Sequence, residues 1–160
     1  MNKSSKIKPL ILILLLMFPS FLSSCKVDNP SNSEFQPLEG KIIFSLTEGY
    51  EYQDAVSNPK IVLKMRTEKI YGCFNYSIVT RVLRLDKGIS VVVSGVSISN
   101  VCLTALGPAS YEEFLNLPEG EYSLIFSYWG ITDRYGVKIS NSSIEVVVKE
   151  SNFTELEHPQ

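Results

Sequence analysis

Histidine is all but missing from this sequence: of 160 residues the only one is His158, in a polar stretch close to the C-terminus. A Ser–His–Asp or Cys–His centre needs an imidazole held within hydrogen-bond reach of its nucleophile, and residues 151–160 read as a polar, frayed tail that offers no such mount. Cysteine is scarce as well, at three residues, which leaves too few donors for a zinc site built from several His or Cys ligands. No EF-hand spacing and no glycine-rich phosphate loop occurs. Basic residues are few and scattered, 15 Lys and Arg against 17 Asp and Glu, so the electropositive field that nucleic-acid binding requires is absent. Two-carboxylate sugar hydrolysis needs a pair of acids across one cleft, and the spacing of Asp54, Asp86, Glu112, Glu113 and Asp133 pairs none of them. The expectation is a protein that is not an enzyme, with no metal ligands, no cofactor and no nucleic-acid partner.

What is present begins at the N-terminus. Lys3, Lys6 and Lys8 precede an unbroken apolar run from Leu10 to Phe18, and no acid appears before Asp28. Pro19 and Ser20 end the run, and Leu22-Ser23-Ser24-Cys25 follows. A basic start, a short apolar core and small residues before a break form a secretory signal. The run is too short to span a bilayer, which takes roughly 20 apolar residues. Leu22-Ser23-Ser24-Cys25 resembles the lipobox of bacterial lipoproteins. The resemblance implies cleavage before Cys25, a diacylglyceryl group on its sulfur, an acylated amine and hence a membrane partner reached through lipid. One acyl chain holds a protein marginally, whereas two or three hold it firmly. The competing reading is an ordinary secreted protein in which Cys25 stays a thiol.

Lys26 stands where an aspartate marks inner-membrane retention in lipoprotein families, which points to the outer membrane of a bacterial envelope and leaves its face, periplasmic or surface, open. The polar residues 26–34 are similar to the leash of small lipoproteins of the Bacteroides group. The expected organisation is a removed signal over 1–24, a lipidated cysteine and flexible leash over 25–37, a folded domain over 38–150 and the tail over 151–160. Without residues 1–24 the remaining 136 carry 12 basic and 17 acidic residues, a net charge of −5, and suffice for one compact domain.

Cys25 aside, Cys73 and Cys102 remain, an even pair that an oxidising compartment joins. Local patterning sharpens this. Leu83-Arg84-Leu85 leads into Asp86-Lys87-Gly88, and Ile89 to Val93 leads out, which reads as a hairpin whose three-residue loop gives Gly88 the positive φ. The apolar alternation of Ile89, Val91 and Val93 changes phase at Ser94-Gly95 and resumes at Val96 and Ile98, the mark of a bulge. With Leu85 facing Ile89 and one residue added by the bulge, Cys73 falls opposite Cys102. A bridge between two packed sheets is the alternative geometry. Either closes a loop of about 30 residues, a stabilisation of roughly 3–4 kcal/mol on the chain-entropy account.

Further strands are expected at Lys41–Leu46, Ile61–Met65, Tyr122–Tyr128, Tyr135–Ile139 and Ile144–Val148, where apolar residues alternate with polar ones. Ser110-Tyr111-Glu112-Glu113 matches a capping box and predicts one short helix near 110–116. About seven short strands with turns every 8–12 residues indicate an antiparallel β-sandwich. Leu117-Pro118-Glu119-Gly120-Glu121-Tyr122 resembles the turn-into-strand of immunoglobulin-like or transthyretin-like modules, which implies that fold. Residues 129–133 are expected to form a loop whose aromatic pair, Tyr128 and Trp129, stands beside Asp133 and Arg134. These four are the candidate binding residues, able to stack on a sugar or to anchor in a protein pocket. The competing role is structural, with Trp129 folded back to close the end of the core. Tyr71, Phe74 and Tyr76 are expected to pack around the disulfide, and Tyr50 and Tyr52 to cover a sheet edge. The function classes that remain are a lipid-anchored binding or scaffold module with an envelope partner, a glycan-binding adhesin, and a small enzyme or protease inhibitor.

Overall fold

Alternation of apolar and polar side chains governs the folded part of the chain. The computed structural model describes residues 35–50, 59–98, 101–102, 104–141 and 143–157. The signal, Cys25, Tyr52, Asp54 and His158 lie outside the described residues. Ten strands are formed: β1 (Phe35–Gln36), β2 (Ile42–Gly49), β3 (Lys60–Tyr71), β4 (Ser77–Leu85), β5 (Gly88–Ser97), β6 (Gly107–Leu115), β7 (Gly120–Tyr128), β8 (Ile131–Ser140), β9 (Ser143–Glu150) and β10 (Thr154–Leu156). They make one sheet in the order β10-β2-β3-β6-β4-β5-β7-β8-β9, with β1 added along β5, and this sheet curls until it nearly closes into a barrel. The β-rich expectation therefore holds, while three of its details are corrected.

The sheet is mixed, not antiparallel. β10 runs parallel to β2, β4 to β6, and β5 to β7. The β5–β7 pairing follows from the link 116–119, which carries the chain from β6 past β4 and β5 and sets β7 down beside β5. No helix occurs among the described residues, and the segment expected to be helical is the strand β6. Its residues pair with β3 from Ile61↔Leu115 to Arg66↔Ser110, and Ala109 and Leu115 are buried at strand spacing. The continuous ladder of Ser110 to Leu115 along β3 outweighs a capping box that would serve one turn. Residues 154–156, expected in a frayed tail, form β10 on the flank of β2.

The β4–β5 hairpin forms with a register one residue from the expected one. Its loop is only Asp86-Lys87, so Leu85 pairs with Gly88 and Arg84 with Ile89. Gly88 does not take a positive φ; it opens β5 beside Ser123 of β7, whose carbonyl oxygen would make an ordinary 3.4 Å contact with an added Cβ. The bulge falls where the apolar phase changes, between Val93 and Gly95, and Gly95 adopts φ +149° there. A second irregularity in β3, between Arg66 and Ile70, is stabilised by Thr67, whose buried hydroxyl accepts from the Ala109 amide at 3.0 Å and donates to the Lys69 carbonyl at 2.8 Å.

The core fills the barrel. Phe44, Phe126 and Tyr135 meet ring to ring at 4.8 to 5.9 Å, in tilted and edge-to-face arrangements that aromatic quadrupoles favour. Strand polarity gives the barrel two ends. The proximal end holds β1, the starts of β2, β4, β6 and β8, and the ends of β3, β5 and β7; the distal end holds the 86–87 turn and the 116–119 link.

Cys73 and Cys102 are joined, with Cα atoms 5.2 Å apart. They lie beyond the hairpin, in the β3–β4 and β5–β6 connections at the proximal end, where the Asn75 side chain also donates to the Val101 carbonyl. Replacing both by alanine should lower the unfolding free energy by about 3 kcal/mol, read from full denaturant curves of the oxidised wild type and the double variant with each m-value fitted separately.

Candidate functional site

Asp133 continues the inward-facing series Tyr135, Val137 and Ile139 along β8, and its carboxylate is buried with them. Burying an unpaired charge is prohibitive, and this one is fully partnered. Oδ1 accepts from the Asn152 amide at 2.7 Å and the Asn152 side chain at 2.9 Å. Oδ2 accepts from the Phe153 amide at 3.0 Å, the Thr154 amide at 2.7 Å and the Thr154 hydroxyl at 2.6 Å. Tyr135 extends the network through its hydroxyl, 2.8 Å from that of Thr154. Burial alone would push the Asp133 carboxyl up, but the Thr154 hydroxyl and the three amides outweigh it and hold it below the usual carboxylate range. The five donors come from three consecutive residues, two in the link that follows β9 and the first of β10, so Asp133 fixes the turn at which the barrel closes.

Tyr128, the second candidate, is also committed. Its hydroxyl accepts from the Leu38 amide at 2.8 Å, and its ring stands 5.9 Å from that of Phe153. It therefore holds the incoming N-terminal segment against the end of β7. Arg134 lies on the outer face, 3.8 Å from Glu150 in an exposed ion pair of little energetic weight.

Trp129 differs from all of these. The expected loop is a two-residue turn, because Ile131 pairs directly with Tyr128. Trp129 has φ +49° and Gly130 φ +84°, both positive as a type I′ hairpin turn requires. Asn and Gly suit these positions, whereas a bulky residue in the left-handed region costs about 1 kcal/mol. Trp129 is nevertheless 82% exposed, with its ring centroid 6.1 Å from that of Tyr128 in a tilted arrangement. It does not fold back over the core.

The other sequence candidates scatter. Tyr71 stacks on Tyr76 at 4.8 Å, and Phe74 is exposed. Tyr50 is exposed as well. Glu112 and Glu113 line one polar cleft of about 360 Å³ with Lys60 and Arg84. As consecutive strand residues they project to opposite faces, and the Glu113 carboxylate is occupied by Arg84 at 3.2 Å and the Tyr111 hydroxyl at 3.1 Å. A cleft of about 590 Å³ lies along the seam between β9 and β2, with Ile144, Val146 and Leu46 on its walls. Among the described residues no group of three or more His, Cys, Asp or Glu side chains could hold a metal ion.

The geometry thus separates the four candidate residues. Asp133 and Tyr128 build the proximal end, Arg134 faces outward on its flank in an ion pair, and Trp129 stands exposed in the turn. Sequence reasoning missed the partners of Asp133. Asn152-Phe153-Thr154 stands in a polar stretch and carries no pattern of its own, although the strand phase of Asp133 signals a buried carboxylate in need of donors. Compared with known protein families, curated proteins and solved structures, the chain matches none.

Asp133→Ala should destabilise the domain by about 3–5 kcal/mol, because each buried donor left without an acceptor costs roughly 1–3 kcal/mol; urea unfolding at pH 7 measures it. The depressed carboxyl also sets a pH signature. A folded-state pKa below the unfolded value contributes stability above about pH 4 and loses it as the pH falls through the folded pKa. Wild type should therefore lose more stability below about pH 4 than Asp133→Asn does, and parallel profiles for the two proteins would contradict the role assigned to the carboxylate.

Proposed function

We propose that this chain is the precursor of a bacterial lipoprotein, anchored through Cys25 to the cell envelope, whose β-domain is a non-catalytic binding or scaffold module. The outer membrane is the favoured site of anchoring, because Lys26 follows the acylated cysteine. The observation that carries the reading is the sequence Leu22-Ser23-Ser24-Cys25 behind a basic, apolar leader. It is supported by the way the domain receives its N-terminal segment, pinned at the proximal end by β1 on β5 and by Leu38 on Tyr128. The non-catalytic reading is supported by the commitment of the buried acid to five donors and of Glu113 to Arg84. For the fold we propose, more finely, an immunoglobulin-like or transthyretin-like sandwich in origin: β4 and β6 are joined at a single residue pair, so β10-β2-β3-β6 and β4-β5-β7-β8-β9 form two leaves.

A second reading, a glycan-binding adhesin, is favoured by one observation, the outward-facing Trp129, an aromatic platform of the kind that stacks on sugars.

The anchoring reading is tested on envelope fractions by intact mass and radiolabelled-lipid incorporation, comparing wild type with Cys25→Ala. Label and added acyl mass on wild type, both lost in the variant with accumulation of unprocessed chain, are expected. A variant that matures normally, or a wild type that takes no label, would show that the protein is a soluble secreted domain.

A further inference from the structure

We propose that the proximal end of the barrel is a membrane-contacting face, with Trp129 as its interfacial anchor and the bilayer that carries the Cys25 lipid as its partner. The proposal rests on the anchored reading above and adds the orientation of the domain and the surface it uses.

Three observations converge on this end. The first is where the outside chain arrives. Nine residues separate Cys25 from Phe35, and a chain of that length spans roughly 17–19 Å on average and about 35 Å at most. Phe35 pairs with Ser97 at the proximal end, and Leu38 bonds Tyr128, the residue before Trp129. A lipid on Cys25 therefore holds the Trp129 turn within a short tether's reach of the bilayer, where even a weak contact is realised through high effective concentration.

The second observation is the distribution of exposed apolar side chains. The three most exposed large ones among the described residues are Trp129 at 82%, Leu106 at 77% and Val101 at 69%. All stand in connections at the proximal end, and Phe74, Ile70 and Ile131 add to the same rim. Tryptophan is the residue enriched where headgroups meet hydrocarbon, since its ring is apolar and its N–H wet. The third is conformational. The turn would be better served within the protein by asparagine at 129, so the left-handed tryptophan is explained by a partner outside the fold and not by the core.

Charge defines the mode of contact. Three of the described cations at this end are paired, Lys69 with Glu39 at 2.6 Å, Lys41 with Glu155 at 2.9 Å and Arg134 with Glu150 at 3.8 Å. The contact is consequently apolar and independent of anionic lipid, unlike that of a polybasic face.

Trp129 is the only tryptophan of the chain, so intrinsic fluorescence reports on this one site. The test uses the mature lipidated protein, its acyl mass verified, in phosphatidylcholine vesicles with or without brominated acyl chains. The expected result is a shift of emission to shorter wavelength in plain vesicles and loss of most of it in brominated ones, unchanged at about 0.5 M salt, where long-range charge effects are screened. Ile131→Ser, which keeps the fluorophore, should recover part of the emission. Trp129→Asn should raise Tm by about 2–5 °C, as relief of a left-handed tryptophan predicts.

Emission insensitive to brominated lipid on a chain of verified acyl mass would overturn this inference and leave the anchor intact. A chain without acyl mass would overturn both. A response of Trp129 to soluble envelope oligosaccharides but not to brominated lipid would assign the turn to a glycan instead, and a Tm lowered by Trp129→Asn would return Trp129 to a structural role.

Discussion

A single carboxylate holds the two edges of this sheet together. β9 and β10 follow one another in the chain yet lie at opposite ends of the strand order, so the chain must turn sharply between them while the amides of Asn152, Phe153 and Thr154 leave solvent. Asp133 receives those amides on its two oxygens, together with the side chains of Asn152 and Thr154. With the turn fixed, β10 reaches β2, and Lys41 and Arg66 clamp its outer face through Glu155 and Glu157. The aromatic cluster of Phe44, Phe126 and Tyr135 draws one ring from each of β2, β7 and β8. It is a core only because that closure brings β2 round to β8. Hydrophobic burial supplies the bulk of the stability, and the buried acid decides which strands share it.

Local pattern was a good guide to which residues form strands and a poor one to how the strands meet. The alternation of Ile42, Phe44 and Leu46 announces β2, and the phase change at Ser94-Gly95 announces a bulge, since both depend on neighbours in sequence. The parallel placement of β7 beside β5 depends on where a four-residue link can reach across the fold, and no periodicity encodes that. Gly88 shows the difference. Read alone it is a loop glycine, whereas in the sheet it is the first residue of β5, paired with Leu85 on one side and Ser123 of the parallel β7 on the other. Ser110-Tyr111-Glu112-Glu113 is the converse, a sound helix start overruled because β3 offers a complete ladder of partners. The disulfide was legible for a third reason, cysteine count and compartment, and survives a register one residue from the one used to argue for it.

The candidate site was legible in part. Its four residues are neighbours in sequence and were grouped on residue type, which says nothing of direction. Strand phase does: Asp133 falls in step with buried Tyr135 and Val137, so it belongs to the core, and Arg134 falls out of step and meets Glu150 outside. Trp129 sits in the turn, where phase gives no instruction, and only the backbone conformation fixes its outward course. That an aromatic occupies a site suited to asparagine is a local conflict of the sort that folds tolerate where a surface has work to do.

The proximal pinning of the chain also determines how the domain bears load. Tension applied through the N-terminal segment first meets β1, held by only two residue pairs at the end of β5. Beyond Leu38 the pull passes to Ile42, the first residue of β2, and is directed back along that strand's own axis. β2 is flanked by β3 over eight residue pairs and by β10 over three, so the hydrogen bonds on both flanks are stressed together in shear and none is peeled from an end. A weak, separable fastening lies in series with a strong one. The arrangement yields a little slack under sudden force and then resists, a shock absorber made from the order in which one chain joins its own sheet.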